Sequence, residues 1–170
     1  MADISALKVK ELRDLTGAGI MDCKRALEQT GGDTVKAADI LKEQGLAKAA
    51  KRSERKALQG TIDSYIHAGG RIGVIVEVNC ETDFVARTDD FRRLAHDIAM
   101  QVAATNPRLV GNEDSGDGAS DADVPAEEIL LKQPFIKDPS ISIEELVKSV
   151  IAKTGENVVI RRFSRFELGV

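Results

Sequence analysis

Residues Glu77–Ala86 read EVNCETDFVA, and how this stretch divides decides the fold. Upstream, Ile72, Val74, Val76 and Val78 fall on alternate positions, so the segment is a strand with one face in a core. Downstream, Phe91, Leu94, Ala95, Ile98, Ala99 and Val102 recur at three- and four-residue spacing. That is the stripe of a helix covering one face of a sheet, and the helix is expected from about Thr88. Between strand and helix, Thr82, Asp83, Phe84 and Val85 form a polar loop with a bulky ring at its tip. Such a ring either folds back into its own core or projects as a wedge toward a partner protein. This stretch alone leaves both readings open.

Working outward, Thr61–His67 and Arg71–Asn79 are β-rich and flank Ala68, Gly69 and Gly70, where a left-handed turn is cheap, so they form an antiparallel hairpin. Pro107 ends the helix that follows. Residues 111–123 read GNEDSGDGASDAD, acidic and nearly without apolar side chains, and are expected to be a flexible linker because they cannot repay their ordering entropy. A short helix near Pro125 leads to a loop, QPFIKDPS. Ser142 and Glu145 then form a capping box before Ile143, Leu146, Val147, Val150 and Ile151, in a helix closed by Gly155. From Asn157 to Leu168, Val158, Ile160 and Arg162 alternate with Val159, Arg161 and Phe163, a strand returning to the hairpin. Residues 58–170 are thus expected to be an α+β core with a small antiparallel sheet covered by helices.

Residues 1–45 predict a mini-domain of three short helices, Ile4–Leu15, Ile20–Gln29 and Val35–Gln44. Gly17 and Gly19 permit the first reversal, Asp33 after Gly31 and Gly32 caps the third helix, and Gly45 is expected to stop it. Residues 46–57, LAKAAKRSERKA, form an alanine-rich helical connector in which Lys48, Lys51, Arg52, Arg55 and Lys56 face a single Glu54. A phosphate-binding role is one reading of these cations. A solvated linker is favoured, because no aromatic interleaves them to stack on bases.

The net charge of −4 on 170 residues is spread along the chain and argues against bulk DNA binding. No apolar run approaches the roughly twenty residues of a membrane span, and MADISALKVKELRD lacks a signal-peptide stretch, so a cytosolic protein is expected. Cys23 and Cys80 have no metal-ligand spacing and read as small buried thiols. A thiol site of Cys80 with Glu81, Asp83 and His96 as base is conceivable, yet His96 lies off the apolar stripe of its helix and reads as a surface residue. With no phosphate loop, nucleophile elbow or metal cluster, neither an enzyme nor a cofactor is expected.

Leu12–Asp33, LRDLTGAGIMDCKRALEQTGGD, together with EVNCETDFVA closely resembles the bacterial elongation factor Ts family, the nucleotide exchangers of elongation factor Tu. The resemblance runs from Met1 to about Asn106 and resumes in QPFIKD, Ser140–Val150 and RRFSRFELG, departing from the family only in the acidic middle. It implies a ubiquitin-associated-like N-terminal bundle, binding to the GDP form of elongation factor Tu and weakening of its hold on the nucleotide. By the same resemblance Thr82, Asp83, Phe84 and Val85 intrude near the partner's Mg²⁺ and phosphate region, Phe84 as wedge, while Lys10, Arg13, Ile20 and Met21 match the bundle's contact face. Without the family, Ile20 and Met21 also read as bundle core and Arg13 as a solvated residue. His67, in IHAGGRIG, resembles a segment that touches the partner in longer members. Those members carry two core halves and this chain about one, so a noncovalent homodimer or a monomer is expected. The alternative class is a ubiquitin-associated-like adaptor or RNA-associated translation protein using residues 46–57.

Overall fold

The computed structural model describes residues 4–111 and 124–170. The acidic stretch expected to be a linker lies outside them from residue 112 to 123. The chain opens with three helices, α1 Ala6–Thr16, α2 Ile20–Gln29 and α3 Thr34–Ala50. Each start follows local chemistry. Ser5 accepts from Lys8 N at 3.3 Å, and Asp33 accepts from Val35 N and Lys36 N at 3.1 Å. Val9, Leu12, Cys23, Ala26, Leu27, Ala37 and Leu41 bury a small core of their own.

Gly45 does not stop α3, which runs on to Ala50. A glycine stop requires the left-handed conformation, and Gly45 is not among the positive-φ glycines. Its missing side chain serves packing instead: a Cβ there would come 3.1 Å from Ala152 Cβ. The basic connector is therefore helical only in its first part and continues through turns to Gln59.

The main sheet has three strands, β1 Gln59–Ile66, β2 Ile72–Cys80 and β5 Val158–Glu167, in the order β1-β2-β5, and is antiparallel throughout. Strands β1 and β2 pair from Gln59↔Cys80 to Ile66↔Gly73, turning through Gly69 and Gly70 at φ 90° and 67°. Val74, Val76, Val78 and Cys80 point into the core, and Ile75 points outward. Strand β5 pairs on the other side of β2, with a bulge. Glu77 faces Arg162 while Val78 faces Ile160, leaving Arg161 as the extra residue. The strict alternation expected here is thereby corrected: the bulge reverses the phase, so Phe163 rather than Arg162 continues the inward row of Val158 and Ile160.

Beyond β2 come a single helical turn, α4 Asp83–Ala86, and the long helix α5 Asp89–Thr105. The α5 stripe lies buried on the sheet, and Asn106 closes the helix at φ 47°. In place of one short helix near Pro125 there are two 3₁₀ turns, Ala126–Glu128 and Leu130–Lys132. The expected QPFIKDPS loop is a two-stranded ribbon, β3 Pro134–Phe135 with β4 Asp138–Ser142. Buried Gln101 of α5 fastens it, donating to Gln133 Oε1 and Pro134 O at 3.0 and 3.2 Å and accepting from Ile136 N at 2.9 Å. Helix α6 Ile143–Thr154 begins at the capping box of Ser142 and Glu145 and ends at Gly155, φ 79°. The molecule is α+β, with helices covering a small antiparallel sheet.

Candidate functional site

The segment leaving β2 is not the open loop expected from the sequence. Thr82 caps α4 by accepting from Val85 N at 3.4 Å. Val85 and Ala86 are buried against the main core, whereas Phe84 is 78% exposed. A single turn is too short to show helical periodicity in a sequence, and its signal was the threonine cap alone. Asp83 pairs with Arg87 one turn on at 2.9 Å, an exposed pair of small energetic weight.

Two carboxylates hold this turn from across the fold. Glu156 accepts from Thr82 N at 3.0 Å and from Thr82 Oγ1 at 2.6 Å. In the reverse direction Glu81 Oε1 accepts from Asn157 N at 2.7 Å and from Arg55 Nη1 at 3.5 Å. Asn157 Nδ2 donates to Ser53 O and Arg55 O at 3.2 and 2.7 Å. The exit from α3, the Phe84 turn and the α6–β5 turn thus meet at one joint. Sequence reading missed Glu81, Glu156 and Asn157 as supports, since nothing local marks two exposed-looking glutamates as partners of remote amides.

The N-terminal candidates lie on a different surface, over the small core. Lys10, Arg13 and Ile20 line one shallow depression together with Ala6 and Lys24. Ile20 and Met21 are 56% and 63% exposed, and the core side of α2 is Cys23, Ala26 and Leu27, so the two are not bundle core.

A family description, Elongation factor TS, matches residues 20–119. The chain is 50% identical to elongation factor Ts of Herpetosiphon aurantiacus, with 98% of each chain covered. It is 49% identical to that of Carboxydothermus hydrogenoformans over 98% of this chain and 89% of the relative. Against that of Coprothermobacter proteolyticus the identity is 48%, over 98% and 99%. The chain belongs to the elongation factor Ts family. Elongation factor Ts is a nucleotide exchange factor of translation elongation.

Burial first, then the nearby Glu156 charge, pushes the Cys80 thiol up to about 11, and its Sγ donates to Thr82 O at 3.1 Å. A protonated, buried thiol is a poor nucleophile at neutral pH. His96 lies 3.6 Å from Asp63 and edge-on to Tyr65. Asp63 faces Val76, four residues before Cys80 on β2, which at about 3.3 Å per residue puts the imidazole's partner roughly 13 Å along the strand from the thiol. No thiol–imidazole pair forms. His67, hydrogen-bonded to Tyr65 OH at 3.2 Å, sits at the far end of the hairpin from Phe84 and is not part of the same site.

Three of the five connector cations already have partners within the chain. Lys48 pairs with Asp22 at 3.0 Å, Arg52 donates to Ile151 O at 3.4 Å and Arg55 reaches Glu81. The Lys48 ammonium, together with Arg25, holds the Asp22 carboxyl below its ordinary value against the opposing effect of burial. Among the described residues no group of three or more His, Cys, Asp or Glu is placed to hold a metal ion, and no helix is long and apolar enough to cross a membrane.

Proposed function

We propose that this protein binds elongation factor Tu in its GDP form and promotes release of the nucleotide, with the Thr82–Val85 turn disturbing the partner's Mg²⁺ and phosphate region. The observation that carries this reading is Phe84, 78% exposed on a turn whose next two residues are buried. Single exposed apolar side chains are common on protein surfaces. Here the turn that carries the ring is fixed by its neighbours' burial and by the Glu156 contacts to Thr82, so little backbone ordering entropy remains to be lost on docking. Burying such a ring contributes about 1.5–3 kcal/mol, one to two decades in an equilibrium constant.

The exchanger must prefer the nucleotide-free partner, and by linkage the nucleotide then weakens the exchanger's grip by the same factor. Lys10, Arg13, Ile20 and Met21 supply anchoring from the bundle, supported by the shared depression and by the exposure of Ile20 and Met21. No bond is made or broken. The RNA-associated alternative loses ground because Lys48, Arg52 and Arg55 are engaged within the fold.

The test is release of a fluorescent GDP from elongation factor Tu, with and without this protein and its Phe84→Ala variant. Acceleration by the wild type that falls about tenfold in the variant is the expected outcome. A wild-type protein that leaves the release rate unchanged sinks the reading.

A second copy of the chain is the other partner we propose. The outward face of the sheet presents Ile62, Ile66, Ile75 and Phe166, each about half exposed or more. Burying them against the same face of another subunit would complete the sandwich, and a sedimentation mass of one chain at micromolar concentration would refute it.

A further inference from the structure

We infer that Glu156 is a positioning residue for nucleotide exchange, acting through Thr82 to fix the turn that presents Phe84. The inference rests on the exchange reading above. Gly155, at φ 79°, ends α6 and turns the chain so that Glu156 faces the start of α4. One carboxylate oxygen takes the Thr82 amide at 3.0 Å and the other its hydroxyl at 2.6 Å. That hydroxyl, with its hydrogen donated in a hydrogen bond to Glu156, turns a lone pair toward Val85 N at 3.4 Å, the bond that caps the turn. The carboxylate therefore polarises the cap and holds the backbone immediately before Phe84 in the same contact.

Glu81, one residue earlier, is tied to Asn157 N and Arg55, and Cys80 Sγ donates to Thr82 O, but among the described contacts Glu156 alone takes both the amide and the hydroxyl of the capping Thr82 from across the fold. Asp83 with Arg87 is exposed and internal to the turn. The carboxyl end is held by burial of Val85 and Ala86. Without Glu156 the ring would still be exposed, but the capping Thr82 would lose the contacts that fix its amide and its hydroxyl. A wedge works only when it arrives in one orientation, so the loss should appear in the release step rather than in capture of the partner.

The experiment measures fluorescent-GDP release from elongation factor Tu over a concentration series of the full chain, giving a maximal rate and a half-saturating concentration. Four proteins are compared: wild type, Glu156→Gln, Phe84→Ala and the double variant. Glu156→Gln keeps the size of the side chain but loses its charge and one acceptor oxygen. The expected result is a maximal rate lowered about three- to tenfold with the half-saturating concentration within about twofold of wild type. In the Phe84→Ala background the same change should have no further effect, because Glu156 acts only through the ring. A wild-type maximal rate in Glu156→Gln, or rate losses that multiply in the double variant, would overturn the inference while leaving the exchange reading in place. An inert wild-type protein would instead remove the exchange reading and this inference with it. Thermal unfolding of each protein shows that a folded chain is being assayed. If Glu156→Gln unfolds at the assay temperature, Glu156→Asp, which keeps the charge but withdraws both oxygens by one methylene, provides the same comparison.

Discussion

Helices α4 and α5 begin alike and dispose of their aromatic residues in opposite ways. Thr82 caps the first and Thr88 the second, each accepting from the amide three residues on, at 3.4 Å. In both, that third residue faces the core: Val85 is 5% exposed and Phe91 0%. Phe84 precedes the inward position by one residue, and about 100° of helix rotation turns it out to solvent. The sequences TDFV and TDDF differ by where the ring falls in the register of the cap. An exposed ring and a core residue are thus made from the same local device.

The comparison can be tested by substitution, and the largest effect belongs to the buried ring. Phe91→Ala should cost about 3–5 kcal/mol in urea denaturation, since it empties a fully enclosed site. Exchanging the outward and inward residues, Phe84→Val with Val85→Phe, should cost about 1–3 kcal/mol by overpacking and should lower exchange as far as removal of the ring does. Exchange left intact would show that register does not aim the ring. Phe84→Ala should change folding stability by no more than about 0.5 kcal/mol while it lowers the release rate. A clear loss of stability would return that ring to a structural role. In the N-terminal region, Ile20→Ala with Met21→Ala should raise the half-saturating concentration several-fold and leave the maximal rate unchanged. A fall in maximal rate would mean that the bundle does more than anchor.

Much of this architecture was legible because its signals are local. Ile20–Gln29 is the helix expected, the Ser142–Glu145 capping box and the Gly155 stop are present, and every residue of the α5 stripe is buried. Errors came where a distant partner decided a local outcome. Gly45 reads as a stop until Ala152 is known to lie against it, and residues 133–140 read as loop until Gln101 fastens them. The Arg161 bulge is set by pairing with β2, so alternation along β5 alone put the wrong residue inward. The site divides in the same way. The exposed ring was visible as a candidate from its position between strand and helix, but Glu156 and Asn157 lie 74 and 76 residues from their partners Thr82 and Glu81, and only the fold brings them together.

Because α3 passes through Gly45 without a break, the bundle and the start of the basic connector are threaded on a single screw of 17 residues, about 25 Å long at 1.5 Å per residue. On a screw, advance and rotation cannot be chosen separately. One residue inserted into α3 would move the bundle by about 1.5 Å and swing it through about 100°, carrying Lys10, Arg13 and Ile20 out of phase with the Phe84 turn. Seven residues, close to two full turns, would nearly restore the phase and leave only a displacement of about 10 Å. Length changes in this helix should therefore be tolerated in steps, with the pitch of the helix as their unit.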